Sequence, residues 1–203
     1  MAVKLTKNEQ KLQKDHLKQY QRYLPTLLLK KQQLQMVIRQ IEVEVASLRR
    51  KQKQIVEDMQ NWIAVYNENS VFSADYNLQN LIKVDRVVKA RGNIAGVTIP
   101  VFKELTFVPI EYDLNDYPLW VDRALESLRD CARYDALIST LEQQIRLLGK
   151  ELRTTSQRVN LFEKVKIPES KENIRRIGIY LGDQQTAAVV RGKIAKKKLV
   201  KEV

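Results

Sequence analysis

Starting at Leu17 and stepping alternately by three and four, the chain reads Leu17, Tyr20, Leu24, Leu27, Lys31, Leu34, Ile38, Ile41, Val45, Leu48, Gln52, Ile55, Met59, Trp62, Tyr66. Thirteen of these fifteen positions are apolar. A straight α-helix repeats about every 3.6 residues, so a 3-4 stripe held for this long stays on one face only if helices supercoil around each other. The pattern predicts a coiled-coil helix from about residue 7 to 67, with Thr6 and Glu9 placed as a capping box at its start.

A second stripe runs Trp120, Ala124, Ser127, Cys131, Tyr134, Ile138, Leu141, Ile145, Leu148, Leu152, Thr155, Val159, Phe162, with eleven of thirteen apolar. It continues past Pro168 through Ile174, Ile177, Leu181 and Ala188, and Gly178, Gly182 and Gly192 soften its far end. A proline inside a helix costs about 3 kcal/mol, because it lacks the N–H and clashes with the carbonyl four residues back. Pro25 and Pro168 therefore each need a reason to be there.

Between the stripes, residues 68–117, the helical period is lost. "LIKVDRVVKARGNIAGVTIPVF" has β-branched runs on either side of a Gly92-Asn93 turn, with Val84 and Val87 before it, Pro100 after it, and Val97, Ile99 and Val101 alternating. This reads as a small β-hairpin near residues 81–101. A lone hairpin is marginal in water, so it must lean on the coil or on another protein.

The fold class expected is mainly α: a long antiparallel two-helix coiled coil formed by the N- and C-terminal helices, with a β-hairpin in the middle of the chain. The organisation expected is one elongated unit, 1–203, made of helix 1–67, connector 68–117 and helix 118–203 with a basic end. If residue 66 faces about residue 120, Pro25 falls opposite residues near 161, and both termini come to one end.

Charge sharpens this picture. The chain has 203 residues, 30% of them charged, and a net charge of +12. Residues 1–34 hold eight basic and two acidic side chains and residues 191–203 hold six and one, so nearly all of the excess sits at the chain ends. Lys7, Lys11, Arg191, Lys193, Lys196, Lys197 and Lys198 thus form a candidate contact tip. Three readings stand: a solvated face, a nucleic-acid contact without interleaved aromatics, or a plug for a socket in a protein partner. One cysteine, Cys131, rules out an internal disulfide, and one histidine, His16, leaves no zinc set or His-based catalytic group. No nucleotide loop or nucleophile-base set is present, so no enzymatic activity and no cofactor or metal are expected. Without a transmembrane run or a signal-like start, the chain is expected in the cytosol.

The combination of a capped N-terminal helix, "VDRVVKARGNIAGVTIP", "RVNLFEKVKIP" and a basic "VRGKIAKKK" end resembles the D subunit of V-type rotary ATPases. Arg158, Val159, Asn160 and Glu163 match that family's Arg-Val-Asn-Ala-Leu-Glu run, Ile167-Pro168 its Ile-Pro pair, and Val97 with Pro100 its Val-x-x-Pro. The resemblance implies a central rotor shaft coupling ATP hydrolysis or synthesis to proton or sodium transport. Its termini stand inside a ring of catalytic A and B subunits, its opposite end sits on a membrane-rotor adaptor, and the F subunit of the stalk grips its side. It also implies a cytoplasmic protein, peripheral to the membrane, without catalytic residues of its own. Under this reading Pro168 either bends the shaft or lets the coil rewind. Two other classes compete: a prefoldin-like chaperone arm, which is also built as helix, β-hairpin and helix, and a nucleic-acid-binding coiled coil.

Overall fold

A computed structural model describes residues 3–60, 81–112 and 120–199. The expected helix end at 61–67 and the connector stretches 68–80 and 113–117 lie outside them. The chain divides into two compact units, Met1–Gln32 with Arg153–Val203, and Gln33–Leu152.

Helix α1, Lys7–Gln60, carries the first stripe. Every stripe position from Leu17 to Met59 is buried or half-buried, Lys31 and Gln52 included, while most residues between them are exposed. Lysine manages this by laying its methylene stem on apolar surface and keeping its ammonium in water. The capping box forms by half. Glu9 N–H donates to Thr6 Oγ1 at 3.2 Å, but the Glu9 carboxylate accepts from the Gln13 amide, and Thr6 N–H goes to the Lys4 carbonyl. The helix passes through Pro25 without interruption, and that ring is exposed, so the carbonyl it deprives of a donor can turn to water.

In the Gln33–Leu152 unit, α1 packs on α2, Val121–Leu161. Leu34, Ile41, Val45 and Leu48 close on Ile138, Leu141 and Leu148, and Leu34 and Leu148 are fully buried. Arg49 pairs with Glu142 and Gln52 with Asp135, which sets an antiparallel register. Cys131 is half-buried on its stripe, and burial, then Asp135 and Asp130, raise its thiol pKa, so it behaves as an unreactive packing residue.

The hairpin is longer than the sequence suggested, and its turn lies elsewhere. Strands β1, Val84–Ile94, and β2, Val97–Phe107, pair antiparallel from Ile94↔Val97 to Val84↔Phe107. The turn is Ala95-Gly96, both at positive φ (51° and 81°), the backbone that suits a two-residue connection between twisted strands. Gly92 and Asn93 are therefore strand residues, not the turn. Asn93 contributes from inside the strand, its Oδ1 accepting from Gly96 N–H at 3.0 Å. Gly92 faces Ile99, and a Cβ there would come within 2.8 Å of Val101, so glycine is kept for close packing rather than for turning. The hairpin does lean on the coil: Ile99 belongs to the buried cluster, with Ile94, Ala95 and Val97 packed around it.

In the other unit, α1 packs on the end of α2 and on α3, Ile167–Leu199. Tyr20 stacks against Phe162 with centroids 5.1 Å apart, His16 lies beside Tyr20, and Gln10 lies beside Gly178. Between α2 and α3, Phe162–Lys166 is a π-helical turn, in which Ile167 N–H reaches back five residues to the Phe162 carbonyl.

Candidate functional site

Three places hold the residues singled out by the sequence. The first is the end of α3. Before it, the first half of α3 lines a groove of about 760 Å³ with Val3, Leu5, Asn173, Ile177, Tyr180 and Asp183 among its walls. Beyond Asp183 only Ala187 is even half-buried up to Lys198, so among the described residues this stretch of α3 has no packing partner. Residues 184–199 carry Arg191, Lys193, Lys196, Lys197 and Lys198 and no acidic side chain, and Val189, Val190 and Ile194 are exposed among them. The last three lysines also complement the negative C-terminal end of the helix dipole.

Lys7 and Lys11 are exposed too, but they belong to the first turns of α1, level with the stretch around Gly178. At about 1.5 Å per helical residue, the α3 cations lie roughly 20–30 Å farther along. The seven residues thus form a basic collar and a basic extension rather than one cluster. Below the extension, Glu172 is held at a pKa of about 2, chiefly by a hydrogen bond from Arg175 and then by one from Arg176.

The second place is the Arg158–Pro168 motif. Val159 is buried in the seam, Ile167 is half-buried, and Arg158, Asn160, Glu163 and Pro168 are exposed. The stripe does not continue in phase here. It passes from Phe162 to Ile167, a step of five, and then resumes as Ser170, Ile174, Ile177 and Leu181 at the usual three and four. The π turn houses that extra residue, and Pro168 follows it directly with its ring exposed, so the widened turn rather than a regular one precedes the proline. Ala188 is exposed because α3 has left its partner by that point.

The third place is the hairpin. Val84 and Val87 are exposed on β1, Gly92 and Val97 are half-buried, and Ile99 is buried. Pro100 offers no N–H to the ladder, and its carbonyl accepts instead from Gln144 Nε2 of α2 at 2.6 Å. At the hairpin foot, Arg129 and Arg133 lie over the Phe107 ring, 6.0 and 5.7 Å from its centroid, and Tyr112 donates to Asp122. Nothing in the sequence pattern marked Gln144, Arg129 or Arg133, since each acts across more than 20 residues.

Among the described residues there is no group of His, Cys, Asp and Glu side chains that could hold a metal ion, and no helix is long and apolar enough to cross a membrane. The arrangement offers contact surfaces: a bare basic helix end, a helix with a built-in phase step, and a hairpin fastened to a coil.

Comparison with known proteins agrees over nearly the whole chain. The sequence profile of the family described as the D subunit of ATP synthase matches residues 9–197. A V-type ATP synthase D subunit from Borreliella burgdorferi is 51% identical over 200 residues, covering 98% of this chain and 96% of that protein. Proteins of the same name from Chlamydia felis and Chlamydia pneumoniae are 36% and 32% identical, each across at least 97% of this chain. On its helices, its hairpin and these matches, the chain belongs to the D-subunit family of V-type ATP synthases.

Proposed function

We propose that the chain is the central rotor shaft of a V-type ATPase, coupling ATP hydrolysis or synthesis in a ring of A and B subunits to proton or sodium transport. In this reading the basic end of α3 stands in the ring, the opposite end of the coil is seated on the membrane-rotor adaptor, and the F subunit of the stalk holds the side. The chain contributes no catalytic group, takes no cofactor, needs no nucleic acid, and works in the cytoplasm at the periphery of the membrane.

One observation carries the reading: α3 extends past its packing partner as an exposed, acid-free helix with five cations and three large apolar side chains. Like charges so close together repel, and bare valines and isoleucines are unfavourable in water, so both features gain from a socket with an apolar wall and acidic groups. A solvated end would need the lysines but not Val189, Val190 and Ile194. The phase step at Phe162–Lys166 supports the rewinding reading of Pro168, because it rotates everything beyond it by one residue relative to a regular coil.

The test is a chain ending at Gln185, rebuilt into the ATPase. The rotor reading expects the coil to fold, the ring to keep hydrolysing ATP, and ion transport driven by that hydrolysis to be lost. Full coupling by the shortened chain would overturn it.

A further inference from the structure

Lys7 and Lys11 of the basic collar open a longer row. Lys7, Lys11, Lys14, Lys18 and Arg22 follow one another along α1 at steps of four, three, four and four. Each residue turns an α-helix by about 100°, so these steps keep all five cations within a sector of roughly 80°, in a line about 22 Å long. Leu24 and Leu27 of the seam lie roughly 120–180° around from the middle of that sector, so the row faces outward, and all five residues are exposed. Of the two acids in this stretch of α1, Glu9 falls on the seam side and accepts from Gln13, and Asp15 stands at the edge of the row. None of the five cations makes an ion pair among the described residues. Like charges one turn apart weaken a helix, so the row costs the free chain stability that an anionic surface would return.

Shape narrows the occupant. A flat surface meets every member of a straight row at once, whereas the phosphate strands of a duplex wind around their axis and leave a straight helix after a few contacts. The end of α3 makes the contrast. At 100° per residue, Arg191, Lys193, Lys196, Lys197 and Lys198 are spread around nearly the whole helix, so no plane reaches them together. Leu12 is exposed but lies about 120° from the middle of the row, too far round to insert, so contact along the row is electrostatic. We infer that the outer face of α1 from Lys7 to Arg22 binds the surface of an anionic lipid bilayer while the chain is unassembled. Four to eight clustered cations on a helix suffice for such binding. It belongs to the free chain and does not depend on the chain's turning in a ring.

The test is sedimentation of the isolated full chain with vesicles of phosphatidylcholine containing about 30% phosphatidylglycerol. The chain should bind them at about 0.05 M salt, release them at about 0.5 M, and ignore vesicles of phosphatidylcholine alone. Lys7→Gln with Lys11→Gln and Lys14→Gln should weaken binding about a hundredfold. Arg191→Gln with Lys193→Gln and Lys196→Gln removes the same charge from α3 and should weaken it by less than about tenfold. Lys7→Gln and Lys11→Gln combined with Asn8→Lys and Leu12→Lys keeps the net charge but moves two cations off the row, and should weaken binding at least about tenfold. All these sites are exposed, so helix content by circular dichroism should be unchanged throughout. Absence of vesicle binding, equal loss from the two triple variants, full binding by the chain with moved charges, or tighter binding to a DNA duplex than to the vesicles would each overturn the proposal, and each would leave the rotor reading standing.

Discussion

Replacing Pro168 by alanine measures how the helix tolerates its proline. In an uninterrupted helix the change should recover about 3 kcal/mol, by restoring a donor and removing the clash with the Lys164 carbonyl. Here Phe162–Lys166 is already wound as a π turn and directly precedes the Ile167-Pro168 pair, so most of that cost has been avoided. What remains is at most one backbone hydrogen bond, about 1 kcal/mol net, offset by the roughly 0.4–1 kcal/mol that proline contributes by restricting the unfolded chain. The helix cannot collect the rest by closing the π turn, since that would swing Ser170, Ile174 and Ile177 about 100° out of the seam. Pro168→Ala should therefore shift the melting temperature by no more than about 2–4 °C, followed by circular dichroism at the helix band. Deleting Val165, an exposed residue of the π turn, should restore an unbroken heptad and drive Pro168 back into its clash, costing about 3 kcal/mol. Combining the two changes should return the stability. A gain near 3 kcal/mol from Pro168→Ala alone, or a neutral Val165 deletion, would show that the π turn is not what accommodates the proline.

Other consequences follow from single residues. Leu148→Ala empties a fully buried seam position and should cost about 2–5 kcal/mol in chemical denaturation. Gly92→Ala drives a methyl against Val101 and should destabilise the hairpin by about 1–3 kcal/mol, whereas Ala95→Asn, at a positive φ, should stabilise it; amide exchange of β1 reads both. Glu172 has its pKa lowered from 4.5 to about 2, so the stability it lends is complete above pH 4.5 and lost as pH falls through about 2; Glu172→Gln should remove that part of the acid transition in α3. Single alanine changes at Arg191, Lys193, Lys196, Lys197 or Lys198 should leave assembly nearly unchanged, because exposed pairs are worth about 0–1 kcal/mol, while changing all five should slow it in a salt-dependent way.

From Leu17 to Met59 the first seam was legible residue by residue because heptad phase and burial are the same geometric fact, and even Lys31 and Gln52 fell where the stripe put them. The second seam was legible as far as Phe162. There the five-residue step to Ile167 hid behind polar Ser170, and counting on to Ile174 made the phase look unbroken. The hairpin was visible in its β-branched runs, but its turn was misplaced: Gly-Asn is the commoner turn signal, while Ala95 adopts positive φ at a cost that composition does not display. The alternation that restarts at Val97 was the better guide. At the candidate site, the excess charge at the chain ends could be read from a count, but the stagger between Lys7 and the α3 cations depends on where α1 starts against α3. Gln144 holding Pro100, and Arg129 and Arg133 over Phe107, depend on tertiary proximity alone.

The central claim is that this chain turns inside a catalytic ring, and a bead fixed to its hairpin in a surface-tethered ATPase tests it most directly. Adding ATP should turn the bead steadily in one direction, and a disulfide between a cysteine placed at Ile194 and the ring should stop both the bead and hydrolysis until it is reduced. A bead that stays still while ATP is hydrolysed, with the disulfide making no difference, would contradict the account.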